Sequence, residues 1–178
     1  KSVISKFVMV FVVVAVALSA FAPSAFAAAP DKKKMGNTIV DVALAANAQS
    51  GEFSILIAAL QAADPAVIKT LSGKGQFTVF APTDAAFVAL LGELGVTADQ
   101  LLSDKALVTQ VLLYHVARGN RDSGQVIASD RIRTLNGGFL FQSGGVLTDA
   151  NGRTSNIIAV DIKASNGVIH VIDRVVLP

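Results

Sequence analysis

Apolar residues between positions 39 and 116 recur every three or four residues, which predicts a series of helices. Thr38 is placed to cap a first helix over Ile39–Ala48. Phe53–Ala63 predicts a second, very apolar helix with one continuous stripe. The Asp-Pro pair at 64–65 is typical of a helix start, so a third short helix runs to Ser72. The first part of the pattern is therefore α-rich.

The first strand is predicted at Gln76–Phe80, where β-branched and aromatic residues form a continuous apolar run. The Ala-Pro pair at 81–82 ends this strand, because proline lacks a backbone donor. Thr83 or Asp84 then caps the next helix. Two more helices are predicted after residues 97 and 103, and a short strand is predicted around Leu113–Val116.

Strand patterns dominate after Gly119. Asn-Gly turns at 136–137 and 166–167 predict two hairpins, and the second joins Ile157–Lys163 to Val168–Leu177. A further short run, Val146–Thr148, lies between the hairpins. Because helices precede strands and do not alternate with them, the pattern predicts an α+β fold and argues against a nucleotide-binding doubly wound sheet.

The first 27 residues have the features of an export signal. Lys1 and Lys6 precede the apolar run Phe7–Ala22, and Ala-Phe-Ala at 25–27 is typical of a cleavage site. The alternative is an uncleaved membrane anchor, for which the apolar run is short. Residues 28–36 are polar and are expected to form a flexible linker, so the folded domain is placed at 37–178.

Composition and charge exclude several classes of protein. Hydrophobic residues make up 52% of the 178 and charged residues only 16%, which excludes a disordered chain. Cysteine is absent, which removes disulfides and thiolate sites. From Ala28 onward, 13 Lys and Arg balance 13 Asp and Glu, so the basic pI does not indicate nucleic-acid binding. Asp122 and Asp130 interrupt the one cluster of basic residues, formed by Arg118, Arg121, Arg131 and Arg133.

No catalytic motif or cofactor motif is present, and the sequence predicts no cofactor, no metal and no enzyme activity. A Ser-His-Asp set could be drawn from His170, Asp173 and some serine, but such a set can be drawn for most proteins of this size. The favoured interpretation is structural. His170 lies between apolar neighbours on a strand face, so it is expected to be buried and to bond Thr83 or Asp84. Asp173, on the opposite face, is expected to tie a loop or helix end to the last strand.

Three segments in this order resemble the fasciclin (FAS1) domain family, and the resemblance covers residues 37–178. They are Phe77–Phe87, the Leu-Leu-Tyr-His-Val segment at 112–116, and Asn166–Pro178. The resemblance implies an α+β fold, a twisted β-sandwich or wedge with an N-terminal helical layer. It also implies a secreted, non-enzymatic module that mediates attachment to a cell surface or extracellular matrix.

Two pairs of contact residues are carried over from the resemblance: Tyr114 with His115, and Asp161 with Ile162. The apolar neighbours of Tyr114 would serve a core equally well, so a structural role is the alternative for the first pair. The expected partner is a cell-surface or matrix protein or a polysaccharide, with no nucleic acid, and with membrane contact only through an uncleaved leader.

The sequence is expected to belong to a small bacterial protein exported to the periplasm or cell surface. Two competing functions remain open at this stage. One is an extracytoplasmic protein that binds a small ligand or a glycan, and the other is a hydrolase that uses His170 or His115.

Overall fold

The computed structural model describes residues 37–178, so the predicted leader (1–27) and linker (28–36) lie outside the described residues. The helices are α1 (Ile39–Ser50), α2 (Ser54–Ala62), α3 (Pro65–Leu71), α4 (Asp84–Leu94), α5 (Ala98–Ser103), α6 (Lys105–Tyr114) and α7 (Ser123–Ile127). The strands are β1 (Phe77–Pro82), β2 (Val116–Arg118), β3 (Arg131–Arg133), β4 (Phe139–Ser143), β5 (Val146–Thr148), β6 (Thr154–Ala164) and β7 (Gly167–Ile172).

Four helices, α1, α3, α4 and α5, begin at caps that the sequence predicts. Thr38 and Asp41 form a capping box at the start of α1, and Thr97 with Gln100 does the same for α5. The Thr83 hydroxyl accepts from the third residue of α4. Within residues 37–178 no single helix is both long enough and apolar enough to cross a membrane. α2 and α3 satisfy both criteria only when they are taken together, and the chain bends by 118° between them.

The seven strands of this region form one sheet in the order β2-β1-β7-β6-β5-β4-β3. β1 and β7 are parallel, and every other neighbouring pair is antiparallel. The sheet curls until its two outer strands meet, because Ala117 pairs with Thr134 and the Leu135 N–H donates to the Val116 carbonyl at 2.7 Å. This contact between β2 and the end of β3 is called the seam below. The fold is α+β, as the sequence predicts.

Two buried clusters lie on opposite faces of the central strands. The helix-side core joins α1–α6 to one face of β1 and β7, where Val79, Ile169 and Val171 point toward the helices. The inner core lies within the curled sheet, and its members are almost completely buried: Phe80, Tyr114, Ala117, Val126, Ile132, Leu140, Leu147, Ile172 and Val176. Both faces of β1 and β7 are therefore buried, which explains their continuous apolar sequences.

Several elements differ from the sequence prediction in their bounds, and one helix was not predicted. α6 continues to Tyr114, so the strand expected around 113–116 begins only at Val116. β1 continues through Pro82, because a strand end tolerates a residue without a donor. The short helix α7 was not predicted, although Asp122 and Gln125 form a capping box at its start.

The last strand ends at Ile172 and does not extend to Leu177 as predicted. Beyond Asp173, side-chain atoms replace the carbonyls of the neighbouring strand as acceptors for the backbone N–H groups. The N–H of Arg174 donates to the Ser155 hydroxyl at 3.0 Å, and the N–H of Leu177 donates to the Asp149 carboxylate at 2.8 Å. The apolar pattern continues in this segment because Val175 and Val176 still pack into the two cores.

Candidate functional site

Tyr114 lies in the inner core and has no exposed surface. Its hydroxyl donates to the Phe139 carbonyl at 2.7 Å and accepts from the Ala150 N–H at 3.1 Å. Burial raises the pKa of the phenol. The tyrosine thus joins the end of α6 to β4 and to the turn after β5, and it presents no atom to a partner.

His115 caps the end of α6 and is 3% exposed. Its Nδ1 donates to the Val111 carbonyl at 2.7 Å, and its Nε2 accepts from the Val176 N–H at 3.2 Å. Burial lowers the pKa of His115 from 6.5 to about 4, because the charged ring would lose its hydration. The ring is a neutral structural link between α6 and the C-terminal segment, so the structure favours the core alternative for the Tyr114–His115 pair.

His170 is completely buried and stacks on Phe80, with the ring centroids 5.8 Å apart. Its Nδ1 accepts from the Asp161 N–H at 3.3 Å, and its Nε2 lies 2.9 Å from the Arg121 carbonyl oxygen, to which it donates. His170 therefore joins β7 to β6 and to the connection after β2. Neither ring nitrogen faces a serine hydroxyl.

The partners expected for His170 were wrong. Thr83 caps its own helix, and the carboxylate of Asp84 accepts from the backbone N–H groups of Ser54 at 3.1 Å and Ile55 at 2.8 Å. Asp84 thus caps α2 from outside that helix, which has no side-chain cap of its own. Both residues fasten helices, whereas His170 points into the inner core on the other face of the sheet.

Asp173 ties the end of β7 to the start of β6. Its carboxylate accepts from the N–H of Asn156 at 2.7 Å, from the Asn156 side-chain amide at 2.7 Å and from the Ser155 hydroxyl at 3.2 Å. Burial raises the pKa of Asp173, but these hydrogen bonds outweigh the burial and leave it lowered. No contact joins Asp173 to His170, so the two do not form the catalytic set considered from the sequence.

Asp161 occupies an irregular point of β6, where the pairing with β7 shifts register. It is the one non-glycine residue with a positive φ, 60°, among residues 37–178. Hydrogen bonds from the Ser123 N–H at 2.8 Å and the Ser123 hydroxyl at 2.6 Å hold its carboxylate and lower its pKa. Ile162, its predicted companion, packs against the helix-side core. Of the four carried-over contact residues, only Asp161 and Ile162 keep part of their surface accessible.

Sequence reasoning missed Asn166, which it treated only as a turn residue. Its side chain is buried: Oδ1 accepts from the Ile39 N–H at 2.8 Å, and Nδ2 donates to the carbonyls of Leu71 at 2.6 Å and Gly73 at 3.0 Å. One amide thus connects the β6–β7 turn to the start of α1 and the end of α3. The Asn-Gly signal indicated the turn, but no local pattern indicates these distant partners.

An apolar cavity of about 190 Å³ lies within the helical layer. Its lining comes from α2, α4, α5 and α6, with Pro82, His115 and Leu177 completing the wall. Two residues at its edge, Leu94 and Leu107, are 47% and 40% exposed. Because both nitrogens of His115 are already bonded, the cavity offers a ligand essentially no polar partner.

No group of three or more His, Asp or Glu side chains converges as a metal site within residues 37–178.

Comparisons with known proteins identify relatives over most of the chain. A family model described as the fasciclin domain matches residues 51–178. Protein sll1483 of Synechocystis is 40% identical over 142 residues, which span 79% of this chain and 73% of that protein. The cell surface glycolipoprotein MPB83 of Mycobacterium bovis is 32% identical over 115 residues, covering 65% of this chain and 49% of that protein.

A solved structure shares the fold. It is the FAS1 domain pair from the insect cell adhesion molecule fasciclin I, which matches with a TM-score of 0.58 and 20% identity. The match covers 72% of this chain and 46% of the insect chain. At this level of identity the likeness concerns the fold.

Proposed function

The chain belongs to the fasciclin domain family, and we propose that it is a non-enzymatic, extracytoplasmic adhesion module that binds a component of a cell surface or matrix. The observation that carries the proposal is the family match over residues 51–178. The mycobacterial relative is named as a cell surface protein, which supports a location outside the cytoplasm.

The roles of the two histidines support a binding function over a hydrolytic one. A general base needs a ring nitrogen within hydrogen-bond reach of the proton that it removes. In both His115 and His170, each nitrogen is committed to the backbone and the ring is buried. Replacing either histidine is therefore expected to lower stability and to abolish no turnover activity.

The contact surface is expected outside the Tyr114–His115 pair. Exposed apolar side chains are present on the outer sheet surface, where Phe141 is 50%, Ile158 56% and Val160 48% exposed. Aromatic residues at such positions are common in protein interfaces. Phe141 is the clearest candidate, because its removal would change the surface and leave both cores intact.

The test is binding of the purified protein to cells, matrix proteins and polysaccharides. Phe141→Ser is expected to weaken binding without changing the melting temperature, whereas Tyr114→Phe is expected to lower stability and leave the binding of the folded protein unchanged. Absence of binding to all three classes at micromolar protein would contradict the proposal. If folded Tyr114→Phe bound more weakly than the wild type, Tyr114 would be a contact residue after all.

A second candidate function is the binding of a small apolar ligand, which the helical-layer cavity favours. An engineered apolar cavity of about 150 Å³ binds benzene, so a void of this size accommodates a small hydrocarbon. A ligand that binds only the native state raises the melting temperature. We expect a rise with small apolar molecules, and no rise in Ala59→Leu, which fills part of the cavity. An equal rise in that variant would place the ligand elsewhere.

A further inference from the structure

Three arginines line one pocket at the seam. The pocket has a volume of about 300 Å³, and its lining is Arg118, Arg121, Arg133, Thr134, Leu135 and Gly137. We call it the seam pocket. In the sequence, Asp122 and Asp130 lie between Arg133 and the other two arginines, but the fold brings all three together.

Strand register explains why two of the arginines face each other. Ala117 pairs with Thr134 in antiparallel fashion, so the next pair outward is Arg118 opposite Arg133. Ala117 is completely buried, whereas both arginines are exposed on the outer face. Like charges directly opposite each other on neighbouring strands are destabilising. The seam is therefore closed by a contact that carries a repulsive pair.

Among the residues that the structure describes, no acidic side chain forms an ion pair with these arginines. Within residues 37–178 the ion pairs join Arg153 and Arg174 to Glu93 and Asp149, and none involves an arginine of the seam pocket. The carboxylate of Asp122, next to Arg121, caps α7 by accepting from the Gln125 N–H. Residues 37–178 carry ten Lys and Arg against twelve Asp and Glu, so the seam pocket is a positive site on a domain of slightly negative charge.

Guanidinium groups supply the free hydrogen-bond donors of the seam pocket. The N–H groups of Leu135 and Gly137 already donate to backbone carbonyls. The Arg121 guanidinium makes one long hydrogen bond, 3.4 Å, to the Ser129 hydroxyl. Each guanidinium has five donors in a planar fork, which matches carboxylate, sulfate and phosphate groups. An oxyanion between Arg118 and Arg133 would replace their repulsion with two attractive contacts.

We propose that the seam pocket binds an oxyanion carried on a sugar, as a sulfate, phosphate or carboxylate group. The volume exceeds that of a bare oxyanion several times, so the group is expected to arrive attached to a larger polar unit. A nucleic acid fits less well, because its binding requires neutralising many phosphates along a basic surface. The inference rests on the proposed function, since it names the chemistry of the partner that the adhesion module takes.

The test measures binding of inorganic sulfate, inorganic phosphate, sodium glucuronate and a sulfated uronic-acid disaccharide to the purified protein by calorimetry. Neutral glucose is the control ligand. The disaccharide is expected to bind more tightly than either inorganic ion. Each of Arg118→Gln and Arg133→Gln is expected to weaken its binding about tenfold, as the loss of one charge-assisted hydrogen bond implies.

Arg131→Gln is the matched control variant. Arg131 is also exposed on β3 and carries the same charge, but it lies over the Phe139 ring and does not line the seam pocket. Binding by this variant is expected to stay within about twofold of the wild type. Equal weakening by Arg131→Gln would reduce the effect to net charge and overturn the site. The site would also be overturned if the folded wild type bound no anion, or if it bound a single-stranded oligonucleotide more tightly than the disaccharide.

A stability measurement separates the seam pocket from general salt effects. Arg118→Gln is expected to raise or preserve the melting temperature without anion, because it removes the repulsion with Arg133. Sulfate stabilises most proteins by exclusion from their surface, so only its extra effect on the wild type over the variant counts. Anion binding without adhesion would leave this inference standing and remove the proposed function. Adhesion without anion binding would leave the proposed function standing and overturn this inference.

Discussion

Replacing Asn166 with alanine is the most informative perturbation of this fold, because one buried amide connects the sheet to two helices. The substitution removes the acceptor of the Ile39 N–H and the donor to the carbonyls of Leu71 and Gly73. A buried group left without its partner costs about 1–3 kcal/mol. Water can reach part of this site, so we expect a total loss of about 3–5 kcal/mol in the free energy of unfolding. That is a large share of the roughly 5–15 kcal/mol that stabilises a typical domain.

The assay is equilibrium unfolding in urea, followed by two signals. Circular dichroism reports the helices, and the fluorescence of Tyr114, the one tyrosine in the sequence, reports the inner core. Asn136→Ala is the matched control, because Asn136 also precedes a glycine in a hairpin turn but its side chain makes only long hydrogen bonds of 3.3 and 3.4 Å. The reasoning is refuted if Asn166→Ala costs no more than Asn136→Ala.

Three further predictions follow from the buried groups and one close backbone approach. Tyr114→Phe should lower the free energy of unfolding by about 1–3 kcal/mol, measured in urea, because the Phe139 carbonyl and the Ala150 N–H lose their partner. Burial lowers the pKa of His115 from 6.5 to about 4, so the unfolded state takes up a proton at higher pH than the folded state. The free energy of unfolding should therefore fall by about 3 kcal/mol as the pH is lowered from 6.5 to about 4, measured by urea unfolding at several pH values. In His115→Gln, the free energy of unfolding should depend less steeply on pH over the same range. Gly167→Ala should abolish folding or shift the urea midpoint strongly, since a Cβ would lie 1.9 Å from the Phe77 carbonyl oxygen. Gly92→Ala, where a Cβ meets no atom within 4 Å, should instead be neutral or stabilising.

Local signals explain how much of the fold could be predicted. Thr38 and Thr97 begin helices because each finds its partner three residues later in the sequence. Period-two alternation correctly separated Ile169 and Val171 from His170, and the two faces of β7 do enter different cores. These predictions needed no information beyond a few neighbouring residues.

Long-range partners explain what the sequence could not show. The burial of His170 was predictable from its neighbours, but its partners are backbone groups of Asp161 on the adjacent strand β6 and of Arg121 in the connection after β2. The fastening of sheet to helical layer was expected at His170 and is made by Asn166. In the same way, Asp122 and Asp130 separate Arg133 from Arg118 and Arg121 along the chain, and the curl of the sheet brings Arg133 to the other two arginines of the seam pocket.

The closure of the sheet affects where the protein opens locally and how it self-associates. Joined at Ala117 and Thr134, the outermost strands have each other as neighbours at this point, which limits the backbone available for pairing with another molecule. Because the joint is short, it is the place where hydrogen exchange should be fastest within the sheet. Transient opening of the Ala117–Thr134 pairing would expose the edges of two strands at once. Self-association should therefore begin from this partly opened form, well before the whole domain unfolds.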